Sequence, residues 1–267
     1  MRSEKEESET LKNLIDYQPD YVVYFRPDLF PEFTKKVSKI YAGPRIGFLT
    51  EPVTHKRFSS PDNIRERKHH LLSTVQMCEV DFWYCYTNEL AEFVNGKINV
   101  QSVRPLPVND KLFARTSDFL DFKDPTFVHV GRLNDYRMSY LNSIKEICDP
   151  VIIENGIPIS DLVKFLKGGI VGINLHVGPI NNFENRVLLH MARNHLVISQ
   201  VLKPDFGLLP GCEYFVFESP GELAESVKNS QEIPELANWI ASRGHQFAQK
   251  FRASKQWLDI LDLDNAP

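Results

Sequence analysis

Absences narrow this sequence first. Its 267 residues hold four cysteines, Cys78, Cys85, Cys148 and Cys212. None forms a C-x-x-C pair or stands at metal-ligand spacing with histidine, so the spacing offers neither a zinc site nor a dithiol centre. Their mostly apolar surroundings read as buried, reduced thiols, the state of a cytoplasmic protein. No apolar run approaches the ~20 residues of a membrane span. The acidic, polar opening MRSEKEESET is not a secretory signal. The expected location is the cytoplasm, with peripheral membrane contact left open. Positive charge is not in excess either: the formal net charge is -4, and RERKHH at 65–70 is the one short basic cluster. It reads as a solvated helix face, so nothing here calls for nucleic acid. G-x-G-x-x-G, the Walker loop and the G-x-S-x-G elbow are all missing, which removes their three chemistries.

What remains is an ordinary globular composition, 42% apolar and 25% charged. Short β-rich runs recur: YVVYF, RIGFL, DFWYCY, NVQSV, FVHVG, PVIIE, IVGINL, HLVIS and EYFVF. Several are apolar on successive residues, as strands buried on both faces of a parallel sheet are. Helical patterns such as LKNLIDY, TVQMCE, ELAEFVN, MSYLNSIKEI, ISDLVKFLK, RVLLHMARN and PGELAESVKN lie between them. This alternation predicts an α/β fold of βαβ units. A polar, proline-bearing stretch suggests domains at 1–112 and 126–267 joined by a linker at 113–125. The last thirty residues read as closing helices.

Four segments could carry chemistry. In HVGRLNDYR a strand ends at Gly131, a polar turn follows, and a helix starts near Met138. Ligands of open α/β sheets sit beyond the carboxyl ends of strands. Arg132 and Arg137 place two permanent cations beside a helix N-terminus there, a setting for a diphosphate. A turn with two solvated arginines has the same spacing. In INLHVGPINNFENRVLLHMARN a strand ends near Leu175, a loop runs to about Asn182, and a helix follows from about Glu184. Asn174, His176, Asn182, Glu184, Asn185 and Arg186 crowd this second strand end. Glu184 suits either a helix cap or ribose hydroxyls, and His176 and His190 suit either a ligand or the core. In NGIPISDL, the Gly-x-Pro turn around Ile157 could offer backbone groups to a base, ahead of a helix capped at Ser160. In RIGFLTEPVTHKRF, Glu51 and His55 follow a strand and could meet an acceptor, or belong to an exposed loop.

These residues resemble a family. VGRLNDYR is similar to the GRLxxxKG segment that opens the second domain of many retaining GT-B glycosyltransferases, where Arg and Lys bind the donor diphosphate. Arg132 falls on the Arg and Arg137 on the Lys. The stretch from Glu184 to Asn194 resembles the N-P-R-V-F-E-A-M-A-C-G pattern of the spore-maturation (CgeB-type) glycosyltransferase-like family. GIPISDLVKFLKGGIVGINLH, LLPGCEYFVFESPGELAESVKN and the closing helices are similar to it as well. The likeness covers about 126–263 well and the first half more weakly. Two positions depart from it: the family's ribose-binding glutamate falls on Leu189, and its glycine on Asn194.

The resemblance implies a GT-B-like α/β fold, two Rossmann-like domains with parallel sheets facing across a cleft, the N-terminal one reduced to about four strands. It implies a glycosyltransferase moving a sugar from a nucleotide diphosphate sugar to an acceptor hydroxyl, with retention. Gly131, Arg132, Arg137, Ile157, Asn174, His176, Asn182, Glu184, Asn185 and Arg186 would then bind the donor, and Glu51 and His55 would serve the acceptor side. No cofactor is expected beyond the donor. No metal is expected either: no D-x-D motif stands at a strand end, and the arginines would neutralise the leaving group. The acceptor, whether glycan, protein or another hydroxyl compound, is not specified. An oligomer or partner subunit stays open. Loss of the ribose glutamate and the short first half keep two other readings in play: an inactive nucleotide-sugar-binding homologue and a sugar-nucleotide epimerase.

Overall fold

The computed structural model describes residues 4–50, 61–113, 124–154, 169–179 and 181–261. Glu51, His55, Ile157, the expected helix after Ser160 and most of the expected linker lie outside these. The chain divides into two compact units, Met1–Arg104 and Pro105–Pro267.

The first unit runs α1 (Glu4–Tyr17), β1 (Val22–Phe25), α2 (Pro31–Ser38), β2 (Arg45–Leu49), α3 (Pro61–Met77), β3 (Phe82–Cys85), α4 (Asn88–Val94) and β4 (Val100–Val103). Its four strands form one parallel sheet in the order β1-β2-β3-β4. Phe25, Phe48 and Tyr84 are register partners across β1, β2 and β3. Their rings stack with centroids 5.4 and 5.3 Å apart, and the Arg104 guanidinium lies 4.8 Å over Tyr84. Strand alternation sends the neighbouring residues the other way. Leu49, Trp83 and Cys85 pack with Leu90 and Val94 of α4 and Val75 of α3. Burial pushes the Cys85 thiol up to about 12, and all four cysteines are free thiols.

The second unit runs β5 (Thr126–Val130), α5 (Asp135–Asn142), β6 (Val151–Ile153), β7 (Ile170–Asn174), α6 (Asn185–Ala192), β8 (Leu196–Gln200), β9 (Phe215–Phe217), α7 (Pro220–Glu232), α8 (Pro234–Ala248) and α9 (Ala253–Leu261). Its parallel sheet has the order β6-β5-β7-β8-β9. Every residue of β7 and β8 is buried, which is why these strands read as apolar runs up to their polar carboxyl ends. The edge strands β6 and β9 expose Val151 and Val216. Phe127, Val171, Ile173, Leu196 and Ile198 pack with Leu141 of α5, Leu223 of α7 and Ile240 of α8. Val128 and Ile170 form a smaller cluster with Ile153 and Leu189 of α6.

The order of the second sheet positions the site. From β5 the chain moves outward to β6, then crosses back to β7 on the other side of β5. The carboxyl ends of β5 and β7 therefore flank a topological switch point, where loops leave in opposite directions and open a crevice. No described helix is long and apolar enough to cross a membrane.

Candidate functional site

Both resembling segments meet at this switch point. The first leaves β5 through Gly131, whose N–H donates to the Ile153 carbonyl at 2.9 Å. Its φ of +148° lies where only glycine is comfortable. A Cβ there would stand 2.6 Å from Arg186 Nη1 and 3.2 Å from Arg137 Nη1, so this glycine admits two guanidinium groups. The helix then starts earlier than the sequence suggests, at Asp135 rather than Met138. Asn134 is the reason: its side chain caps α5 by accepting the Arg137 N–H at 2.9 Å, and its amide donates to the Val177 carbonyl at 2.8 Å. The polar residues Asn134–Arg137 read as a turn because a capped first turn is equally polar.

Arg132 and Arg137 have different surroundings. Arg137 is buried. Its Nε donates to the carbonyls of Leu175 and His176 at 3.0 and 3.1 Å, and its Nη1 to the Arg132 carbonyl at 2.6 Å. Burial and the Arg186 charge bring it down to about 10, against the opposing pull of Glu184; it is still a cation at neutral pH. Arg132 is exposed, and among the described residues no side-chain bond or ion pair holds it.

At the second strand end, Glu184 occupies the N-cap of α6 but makes no side-chain capping bond. Its carboxylate instead meets Arg186 Nη2, with Arg137 Nη2 at 3.5 Å and His176 Nδ1 at 3.8 Å. Burial raises this carboxyl; His176 and the charges of Arg186 and Arg137 outweigh it and hold the group down to about 2. Arg186 Nη1 donates to the Val130 carbonyl at 2.7 Å. Two arginines and one carboxylate therefore leave this half-buried group net positive behind exposed Arg132, a field suited to an anion.

Hydrogen-bond acceptors border the cations. The His176 N–H donates to Gln200 Oε1 at 2.7 Å, and its Nε2 lies 3.0 Å from the Val201 carbonyl. A carbonyl only accepts, so Nε2 carries a proton. Nδ1 of His176, Oδ1 of Asn174 and Oδ1 of Asn182 are buried without a hydrogen-bond partner among the described residues. Asn174 Nδ2 donates to Ser199 Oγ at 2.8 Å. Of the expected site residues, direct contacts bring Gly131, Arg132, Arg137, His176, Glu184 and Arg186 together at this switch point, Asn174 ends β7, and Asn182 and Asn185 flank Glu184 in the chain. His190 is not among them. It is fully buried, stacked on Gly172, and faces His195 with Nδ1 atoms 3.1 Å apart.

Solved structures match this architecture over nearly its whole length. Anabaena HepE in complex with UDP and glucose is 12% identical, with a TM-score of 0.65, over 98% of this chain and 81% of that one. Sucrose-phosphate synthase from Thermosynechococcus elongatus is 13% identical, with a TM-score of 0.64, over 99% and 80%. A glycosyltransferase from Rickettsia africae is 12% identical, with a TM-score of 0.57, over 98% and 83%. The fold is GT-B. No family model matches the sequence, and no curated protein does.

Within this GT-B chain, both departures from the resembling pattern have a physical account. Asn194, on the pattern's glycine, has a φ of +59° after the C-terminus of α6, a left-handed conformation that asparagine tolerates better than most residues. Leu189, on its glutamate, packs against the Val128, Ile153 and Ile170 cluster. Sequence reading missed Asn134 and Gln200. Gln200 bridges His176 to Tyr136, its Nε2 donating to the Tyr136 hydroxyl at 2.7 Å. A polar residue ending a buried strand was the signal for it, and the Asn-x-x-Arg cap spacing was the signal for Asn134.

Proposed function

We propose that this chain is a GT-B glycosyltransferase that moves a sugar from a nucleoside diphosphate sugar to an acceptor hydroxyl, without a metal ion and with retention. The observation that carries this reading is exposed Arg132 at the switch point of the second sheet, backed by buried Arg137 and half-buried Glu184 and Arg186. A diphosphate matches this arrangement in charge, and an arginine grips it through paired N–H donors. Hydroxyl groups of the donor match the open side-chain carbonyls of Asn174 and Asn182. The HepE structure, which contains UDP and glucose, has the same fold.

In this reading Arg132 and the first N–H groups of α6 meet the charge that grows on the departing diphosphate. A contact that strengthens towards the transition state raises the rate rather than merely the affinity. Gly131, Asn174 and Asn185 complete the donor surface, the turn at Ile157 contacts the base, and Glu51 and His55 serve the acceptor. Retention and the spore-maturation kinship rest on the motifs alone.

Calorimetry against UDP, GDP and dTDP tests the reading. Wild-type protein should bind one of them, and Arg132→Ala should weaken that binding by about 1.5–3 kcal/mol, the cost of losing a hydrogen bond to a charged group. Unchanged affinity would remove the diphosphate site. Release of sugar from the matching nucleotide sugar separates an enzyme from a binding homologue.

A further inference from the structure

We infer that Glu184 is a positioning residue: it pairs Arg137 and Arg186, joins the carboxyl ends of β5 and β7 to the start of α6, and so presents Arg132 to the ligand without touching the ribose. This rests on the donor-site reading above and assigns a role inside that site.

Three observations carry it. First, both carboxylate oxygens face cations. One meets Arg186 Nη2; the other faces Arg137 Nη2 at 3.5 Å. A ribose hydroxyl at either oxygen would compete with a cation, and a hydroxyl is the weaker partner for a carboxylate in a partly dry site. Second, the arginines it neutralises are bolted to backbone on different elements. Arg186 donates to the Val130 carbonyl of β5, while Arg137 donates to the Arg132, Leu175 and His176 carbonyls. Without the carboxylate, two guanidinium groups, one buried and one half-buried, would repel each other beside Gly131. Third, Glu184 leaves the helix uncapped although it stands at the capping position. Its side chain is taken up by the ion cluster, and the α6 N-terminus keeps N–H groups that this carboxylate does not use.

The roles of ribose ligand and positioning residue give opposite results when ribose hydroxyls are removed. Glu184→Gln should lower affinity for UDP and for 2′-deoxy- and 3′-deoxy-UDP by the same factor, at least tenfold, leaving their ratios at wild-type values; GDP and its deoxy forms serve if UDP does not bind. A loss confined to the ribose forms, with ratios collapsing towards one, would make Glu184 a ribose ligand and overturn the inference. Absence of binding by wild-type protein to any of these diphosphates would instead remove the donor-site reading, and hydrogen exchange then decides the role of Glu184 alone. In Glu184→Gln, amides of 131–138 should exchange at least tenfold faster while β1–β4 of the first unit keep wild-type protection. Adding Arg186→Gln, which removes the stranded cation, should restore most of that protection. Unchanged exchange in Glu184→Gln, or no restoration in the double variant, would overturn the positioning role. If Glu184→Gln does not fold, the double variant must, and its failure to fold would count equally against the assignment.

Discussion

Gly131 shows how tightly the residues of this site constrain one another. Any side chain there must enter the space held by Arg186 Nη1 and adopt a φ of +148°. Gly131→Ala should therefore lose about 1–3 kcal/mol of stability, the range for a residue held in a sparsely populated conformation. Urea unfolding measures it, and a loss below about 0.5 kcal/mol would mean the turn relaxes freely. A second residue-scale effect is pH-dependent. His129 is fully buried with Nδ1 3.0 Å from the Ile173 carbonyl. Burial, reinforced by the Arg186 charge, brings it down to about 4, and the same causes bring His190 down to about 3. Unfolded histidine takes its proton near pH 6.5. The stability that these neutral rings contribute is thus complete above about pH 6.5 and drains away as pH falls towards about 4. Asparagine keeps the donor to Ile173 and does not titrate. His129→Asn should reduce the slope of stability against pH by about 1.4 kcal/mol per unit between about pH 6 and 4; an unchanged slope in acid-to-neutral denaturant titrations would refute the assignment.

At the scale of elements, the start of α5 depends on one side chain. Asn134→Ala removes both the cap on the Arg137 N–H and the bond to Val177. It should cost about 1 kcal/mol or more and should loosen the turn carrying Arg132, seen as faster amide exchange at 135–138. The contrast between elements also explains what could be read from the chain. All nine strand-like runs contain a strand; β7 and β8 are buried throughout, and residues covered on both faces of a parallel sheet are mostly apolar in succession. The beginning of α5 was hidden, since cap and first turn share the polar composition of a loop. Arg132 and Arg137 were legible as cations near a strand end. Their division into a solvated and a buried group was not, because it depends on carbonyls just beyond the end of β7, some forty residues away in the chain. Glu184 was ambiguous for the same reason: whether a carboxylate caps a helix or joins an ion cluster depends on neighbours that spacing does not reveal.

For the whole molecule, each unit has its own sheet and its own core. A nucleoside diphosphate held as proposed should therefore protect 131–138 and 174–187 from hydrogen exchange and leave β1–β4 at wild-type rates. At a concentration 100 times its dissociation constant it should add about 2.7 kcal/mol to the stability of the state that binds it. Protection spread evenly over both units, or absent from 131–138, would contradict that placement. Arg132 and Arg137, five residues apart, also separate the protein's persistence from its purpose. Replacing the buried arginine endangers folding, whereas replacing the solvated one costs the fold almost nothing. A lineage could therefore lose its ligand through a single substitution at Arg132 and go on inheriting a sound GT-B scaffold, with nothing in its yield or melting behaviour to betray the loss.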